Sequence, residues 1–458
     1  MRLPFRQTRV LALALLTAAV PVTVLAVGGQ AAAASAAATV AVAPAIPDSP
    51  AGRQLSWFLD AVSRAPIAES ELREHLSAEF LKAIPADDFN AFLDRSKGVA
   101  LEKLTTVKPE LLVGLVTAAG QKFVLTISVD GDGKVASLGA VPEEAPIPPA
   151  PGSWAQLDDR LRKVAPETGF LAAEIGPGGR CKVIHATAVD TPRPLGSIFK
   201  VYVLGAVAQK IRDGKLSWDT KLTIKPEWKS LGEGGLIDRP DNSTTTVREA
   251  AKLMISISDN TAADILIHTV GRKAVEAKVR QWSGHAKANI PFLTTRELFL
   301  LKGVNHPEQA RAYLALNPAG KLSYLNRTVA KQSLSDIKYW DKPREIHTVE
   351  WFGSPRDVCR AYAGLAKLSS RPLAEAMSAN DGGLGLDPKK WSAVWFKGGS
   401  ELGVLDLGYL ARTTPKAGGK TYFVTTLTND PRTALDESKA APELISLSRG
   451  AFALVEKG

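Results

Sequence analysis

The chain has 458 residues, long enough for two or three domains with substantial cores. It is 45% hydrophobic and 23% charged, the balance of a soluble globular protein and not of a disordered one. The formal net charge of +10 raises nucleic acid as a partner, but no Lys/Arg block carries interleaved aromatics, so nucleic acid is set aside and the excess reads as a general property of the surface.

Residues 1–36 read as a targeting segment. Arg2, Arg6 and Arg9 precede an apolar run from Val10 to Val27, and small-residue sites such as Ala32-Ala33-Ala34 follow. The run could nearly span a bilayer if uncleaved. Pro21 and the alanine-rich exit favour cleavage by the general secretory route, which predicts an extracytoplasmic, secreted protein with no membrane span after cleavage. Residues 37–50 read as a linker. From 51 to 141, three helical patterns (Leu55–Val62, Ser70–Leu81, Ala86–Leu93) precede four strand patterns (Leu101–Val107, Leu111–Thr117, Lys122–Val129, Lys134–Leu138). This α+β order resembles the cone-shaped fold of the steroid-isomerase and nuclear-transport-factor type, which hosts enzymes and inert binding modules alike. His75 forms no convincing acid–base pair there, so a structural or interaction role is preferred.

Residues 142–152 form a proline-rich linker that marks a boundary, and 153–458 read as the second domain. It opens with a helix over 153–165, followed by strands over 169–175 and 181–185 joined by Gly176-Pro177-Gly178-Gly179. The stretch Pro194-Leu195-Gly196-Ser197-Ile198-Phe199-Lys200 then leads into an almost wholly apolar helix running to about Arg212, with Gly214 as its stop. Lys200 stands one turn beyond Ser197. Burial there lowers an ammonium pKa, and a neutral amine beside a hydroxyl can activate it as a nucleophile. The alternative is that Ser197 is a helix N-cap. A second pair at this spacing, Ser335 and Lys338, lies in a polar stretch without an interior helix.

Thr246-Val247-Arg248-Glu249 carries a capping-box signature for a helix through Ile257. Ser258-Asp259-Asn260 follows, with Asp259 placed to cap the next helix and Gly271 to stop it. Ser258 and Asn260 therefore sit on a short loop between two buried helices, which could aim them into a cleft or could be capping chemistry alone. Late in the chain, Lys397-Gly398-Gly399-Ser400 reads as a strand running into a turn. Cys181 and Cys359 could pair in an oxidising compartment, and neither has a His or Cys neighbour that suggests a metal.

Ser197-Ile198-Phe199-Lys200, followed 61 residues later by Ser258-Asp259-Asn260 and finally by Lys397-Gly398-Gly399, resembles the class A serine β-lactamase family, which shares its design with penicillin-binding D,D-peptidases. The resemblance covers about 153–458 and implies an antiparallel sheet flanked by helices plus an all-helical part. With the small leading domain, it is closest to a two-domain subgroup that includes a protein associated with clavulanate biosynthesis. It implies Ser197 as nucleophile, Lys200 and Ser258 as proton carriers, Lys397 and Asn260 at the substrate, Gly399 admitting the substrate backbone, and amides of Ser197 and Ser400 as the oxyanion hole. The expected substrate is a small β-lactam, ester or peptide, with no cofactor or metal. A D,D-peptidase or esterase, or a β-lactam-binding protein with little turnover, are the alternatives.

Two departures stand out. Gly398 replaces the usual hydroxyl, for which Ser400 could partly substitute. The Glu-x-x-Leu-Asn string that supplies a deacylating base in the family is missing. Glu297, in Thr294-Thr295-Arg296-Glu297, is the candidate by position, or else a salt-bridged residue at a helix start. An insertion-like stretch spans about 302–348, and Ser354-Pro355-Arg356-Asp357 resumes the family pattern as a helix start.

Overall fold

A computed structural model describes residues 44–118, 121–143, 146–232 and 235–456. The targeting segment and most of the first linker lie outside these residues. The chain divides into two compact units, 1–144 and 145–458.

In the first unit, Ser49 caps the helix Pro50–Arg64 by accepting the amide of Gly52 at 3.1 Å, and Pro50 takes the first turn, where its missing donor costs nothing. Leu55, Phe58, Ala61 and Val62 form its buried stripe. Three short helices follow (Glu69–His75, Ala78–Ala83, Ala86–Arg95), and then the strands Ala100–Lys108, Leu111–Ala118, Gln121–Val129 and Val135–Pro142 form an antiparallel meander in chain order. Phe123, Leu125 and Ile127 alternate into the core, as a strand with one covered face requires. The expected α+β order is what the structure has. His75 stacks on Trp57 with centroids 4.3 Å apart and meets Gln54, and burial lowers its pKa.

The second unit is built on a five-stranded antiparallel sheet. Its order is Trp391–Glu401, Val404–Thr413, Thr421–Asn429, Glu167–Ile175, Cys181–Thr187, so Trp391–Glu401 is an edge strand. The period of two splits its side chains between two cores. Phe170, Ala172, Tyr409 and Val424 pack under the helices Trp154–Val164 and Glu437–Val455. Leu171, Ala173, Leu410 and Phe423 face the helical part, whose centre is the helix Lys200–Arg212. The 302–348 stretch is no loose insertion: Tyr313, Leu325 and Val329 join that same core.

Cys181, on the other edge strand, and Cys359, in the helix Pro355–Lys367, form a disulfide across 178 residues. Loop closure on this scale is worth about 5 kcal/mol in the chain-entropy treatment. Reduction, or Cys181→Ser with Cys359→Ser, is expected to destabilise the protein by about 2–5 kcal/mol, read as a lower denaturation midpoint in guanidinium.

Candidate active site

Gly196–Phe199 form a single 3-10 turn, and the α-helix proper begins at Lys200. The N-cap reading of Ser197 fails, because no side chain caps either segment. Its Oγ instead lies 3.0 Å from Lys200 Nζ. Lys200 is wholly buried, and Nζ also meets the Ser258 carbonyl at 2.5 Å, Ser258 Oγ at 3.1 Å and Asn260 Oδ1 at 2.7 Å. Burial, then the charge of Lys397, push its pKa well below the ordinary lysine range. A neutral amine has two N–H donors and one lone pair. The Ser258 carbonyl and Asn260 Oδ1 can only accept, so they take the donors and the lone pair is left for a hydroxyl.

Ser258 reaches Lys200 twice because its backbone is left-handed, with φ at 60°, a conformation that a non-glycine residue holds only under constraint. Asp259 supplies the constraint: its carboxylate caps the helix Asn260–Val270 through the amide of Ala262 and accepts the amide of Leu236. The Asn260 amide donates to the Leu231 carbonyl at 2.7 Å, which fixes Oδ1 toward Lys200. Upstream, the capping box forms only by half. Thr246 accepts the amide of Glu249, but the Glu249 carboxylate turns to Arg239 and Thr245.

Lys397, on the edge strand, is 2% exposed, and its Nζ donates to Ser258 Oγ at 3.0 Å and to the Gly398 carbonyl at 2.8 Å. Burial lowers its pKa to about 7. Ser258 Oγ thus bridges two buried amines. The edge strand also presses on the turn that carries Ser197. A Cβ on Gly399 would fall 2.2 Å from the Leu195 carbonyl and 3.0 Å from the Ser197 amide. One on Gly196, whose φ is 45°, would fall 2.9 Å from the Ser400 amide. The edge strand and the Ser197 turn thus meet backbone against backbone, next to the Ser197 and Ser400 amides.

A cavity of about 60 Å³ opens on the other side of Ser197. Its lining includes Asn260, Thr295, Glu350, Ser400 and Glu401. Glu297 is not part of it. Its carboxylate completes a capping box with Thr294 and receives Arg272 through both oxygens, at 2.6 and 2.9 Å. The expected candidate base is therefore corrected to the salt-bridged helix-start residue, because Arg272 and the Thr294 amide occupy both its oxygens. Thr295 reaches the cavity instead. Asp264 accepts the amides of Thr295 and Arg296, and burial raises its pKa to about 7.

Sequence reasoning missed Glu350, Glu401 and Lys302. Lys302, wholly buried, meets both Glu401 oxygens at 2.7 Å and Glu350 at 3.4 Å. Glu401 stood four positions past Lys397 and was within reach of inspection; Glu350 carried no local signal. Among the described residues, no group of three or more His, Cys, Asp or Glu is arranged to hold a metal ion. Nor is any described helix long and apolar enough to cross a membrane.

The second unit thus joins an antiparallel sheet flanked by helices to a Ser–Lys–Ser–Lys constellation whose two lysines are buried. Residues 156–367 match the model of the beta-lactamase enzyme family, and 46–135 match that of the N-terminal part of an ORF 12 gene product. The second unit is similar to the class A-like β-lactamase family over these residues. A beta-lactamase of Streptomyces fradiae is 26% identical over 174 residues, which is 36% of this chain and 51% of that protein, so the chain spans about half the length of this relative. Among solved structures, PBP-A aligns with a TM-score of 0.44 at 18% identity, over 68% of this chain and all of that one. A beta-lactamase of Sphaerobacter thermophilus aligns with a TM-score of 0.44 at 18% identity, over 66% of this chain and 97% of its own.

Gly399→Ala is expected to separate the strand from the Ser197 turn. It should cut acylation by about 10²–10³-fold, the effect of one lost oxyanion donor, and lower the denaturation midpoint by an overpacking cost of about 1–3 kcal/mol. Stopped-flow acylation and thermal melts check this.

Proposed function

We propose that the protein is an exported serine hydrolase of the class A β-lactamase type, acting through an acyl-enzyme on Ser197. One observation carries this reading: Lys200, buried and lowered in pKa, has its Nζ 3.0 Å from Ser197 Oγ. Lys200 takes the proton of Ser197 Oγ as that oxygen attacks a strained lactam, ester or acyl-D-Ala carbonyl. The amides of Ser197 and Ser400 hold the oxyanion. Ser258 Oγ, hydrogen-bonded to Lys200 and to Lys397, carries the proton on to the leaving group. Asn260 and Lys397 hold the substrate amide and carboxylate.

A second reading, efficient capture with slow release, is favoured by the pairing of Glu297 with Arg272, which removes that carboxylate from the water path. Intact mass spectrometry after mixing with benzylpenicillin tests the proposal. An adduct that appears on the parent protein and not on Ser197→Ala supports it. No adduct and no ring opening overturns it. Assays with acyl-D-Ala-D-Ala and simple esters then separate lactamase from peptidase. Export is tested by the mass of the protein recovered outside producing cells, which is expected to lack the first ~36 residues.

The pH dependence has a fixed sign. Lys200 acts only as the free amine, and its lowered pKa keeps it free well below the ordinary lysine range. Acylation is expected to hold through neutral pH and to fall toward acid as Lys200 takes a proton. A rate that instead rises on acidification, between about pH 5 and 9, contradicts this assignment.

A further inference from the structure

The cavity beside Ser197 carries more charge than a structural clamp needs. One lysine, Lys302 from the helix Thr295–Gly303, meets two carboxyl groups: Glu401 at the end of the edge strand and Glu350 in the segment before Trp351. Lys302 and Glu350 are buried, and the Glu401 side chain is 17% exposed. The Lys302–Glu401 contact is a complete ion pair, with both oxygens at 2.7 Å. Glu350 is therefore the surplus group. It is held by the Trp351 amide at 2.9 Å and only distantly by Lys302. Glu350, Ser197 and Asn260 line one space, which is large enough for a few water molecules and offers them polar partners.

We propose that Glu350, paired with Glu401 and held by Lys302, is the base that activates the water releasing the acyl group from Ser197. This rests on the acyl-enzyme reading above. A proton passes from the water to the Glu350 carboxylate as the water oxygen bonds to the ester carbon. The carbonyl electron pair moves onto the oxygen held by the Ser197 and Ser400 amides. The adduct collapses, the bond from carbon to Ser197 Oγ breaks, and the proton on Glu350 returns to Oγ. The net change is ester plus water to carboxylic acid plus free serine.

The same surroundings gate the step. Burial, then the charge of Glu401, push the Glu350 pKa well above the usual carboxylate range, and Lys302 opposes only in part. Arg344 donates to the Lys302 carbonyl, and Lys200 meets Ser197 and Asn260 of the cavity lining. Glu350 serves as a base only when ionised, so its raised pKa moves release toward higher pH. Release should quicken by about tenfold per pH unit until Glu350 is ionised.

The experiment follows the benzylpenicillin adduct by mass across pH, in the parent protein and in Glu350→Gln, Glu350→Asp and Glu401→Gln. The parent is expected to release faster as pH rises. Glu350→Gln, which mimics the protonated carboxyl, should still form the adduct but release it about 10²–10⁴-fold more slowly, with no pH dependence. Glu350→Asp should restore part of the release. Glu401→Gln should move the release profile to lower pH, because it removes the charge that holds the Glu350 proton. Release from Glu350→Gln at the parent rate overturns the proposal. So does pH-independent release in the parent, which decides the matter even if Glu350→Gln fails to fold. No adduct and no ring opening in the parent overturns the acylation reading, and this proposal with it.

Discussion

The whole site depends on a lysine buried from solvent. Charge at Lys200 is costly to keep there, so burial lowers its pKa well below the ordinary lysine range, and its nitrogen meets two oxygens that can only accept. That requirement explains features that look unrelated. The helix that carries Lys200 is buried from Lys200 through Ala208, which keeps solvent from the amine. Ser258 adopts a left-handed backbone so that its carbonyl and its hydroxyl both reach the same nitrogen. Asp259 is buried to hold that turn, and Asn260 is pinned by Leu231 so that its oxygen faces inward.

The other half of the site is steric. Gly196 and Gly399 face each other across a gap that admits no side chain, and the sheet edge thereby fixes the reactive turn. The helical part sets protonation, and the sheet sets where an oxyanion can sit. Neither part contains a working site alone, since Ser197 hangs on the first while Lys397 and Ser400 belong to the second.

What could be read from the sequence follows from how local each feature is. Ser197 and Lys200 were legible as a pair because one helical turn joins them. Ser258, Asn260 and Lys397 were legible as motifs, since short segments fix their direction. The half-formed capping box at Thr246 misled because Arg239, eight residues upstream of the helix start, competes for Glu249. Glu297 was placed by its position in the chain, but Arg272, 25 residues away, decides what its carboxylate does. The Lys302 cluster joins residues 48 and 99 positions apart, and the disulfide joins two 178 apart. No periodicity or spacing rule reaches that far; only the packed fold brings them together.

The distance along the chain between the parts of the site has an effect of its own. Lys200 meets Ser258 across 58 residues, and Ser258 meets Lys397 across 139. In an unpacked chain Lys200 is solvated and keeps an ordinary ammonium pKa near 10.4, so it cannot take a proton from Ser197 at neutral pH. The serine stays chemically quiet until the last strands of the sheet have docked. A nascent or half-unfolded copy is therefore no weaker enzyme but an inert polypeptide, and reactivity at Ser197 is a faithful report of complete folding.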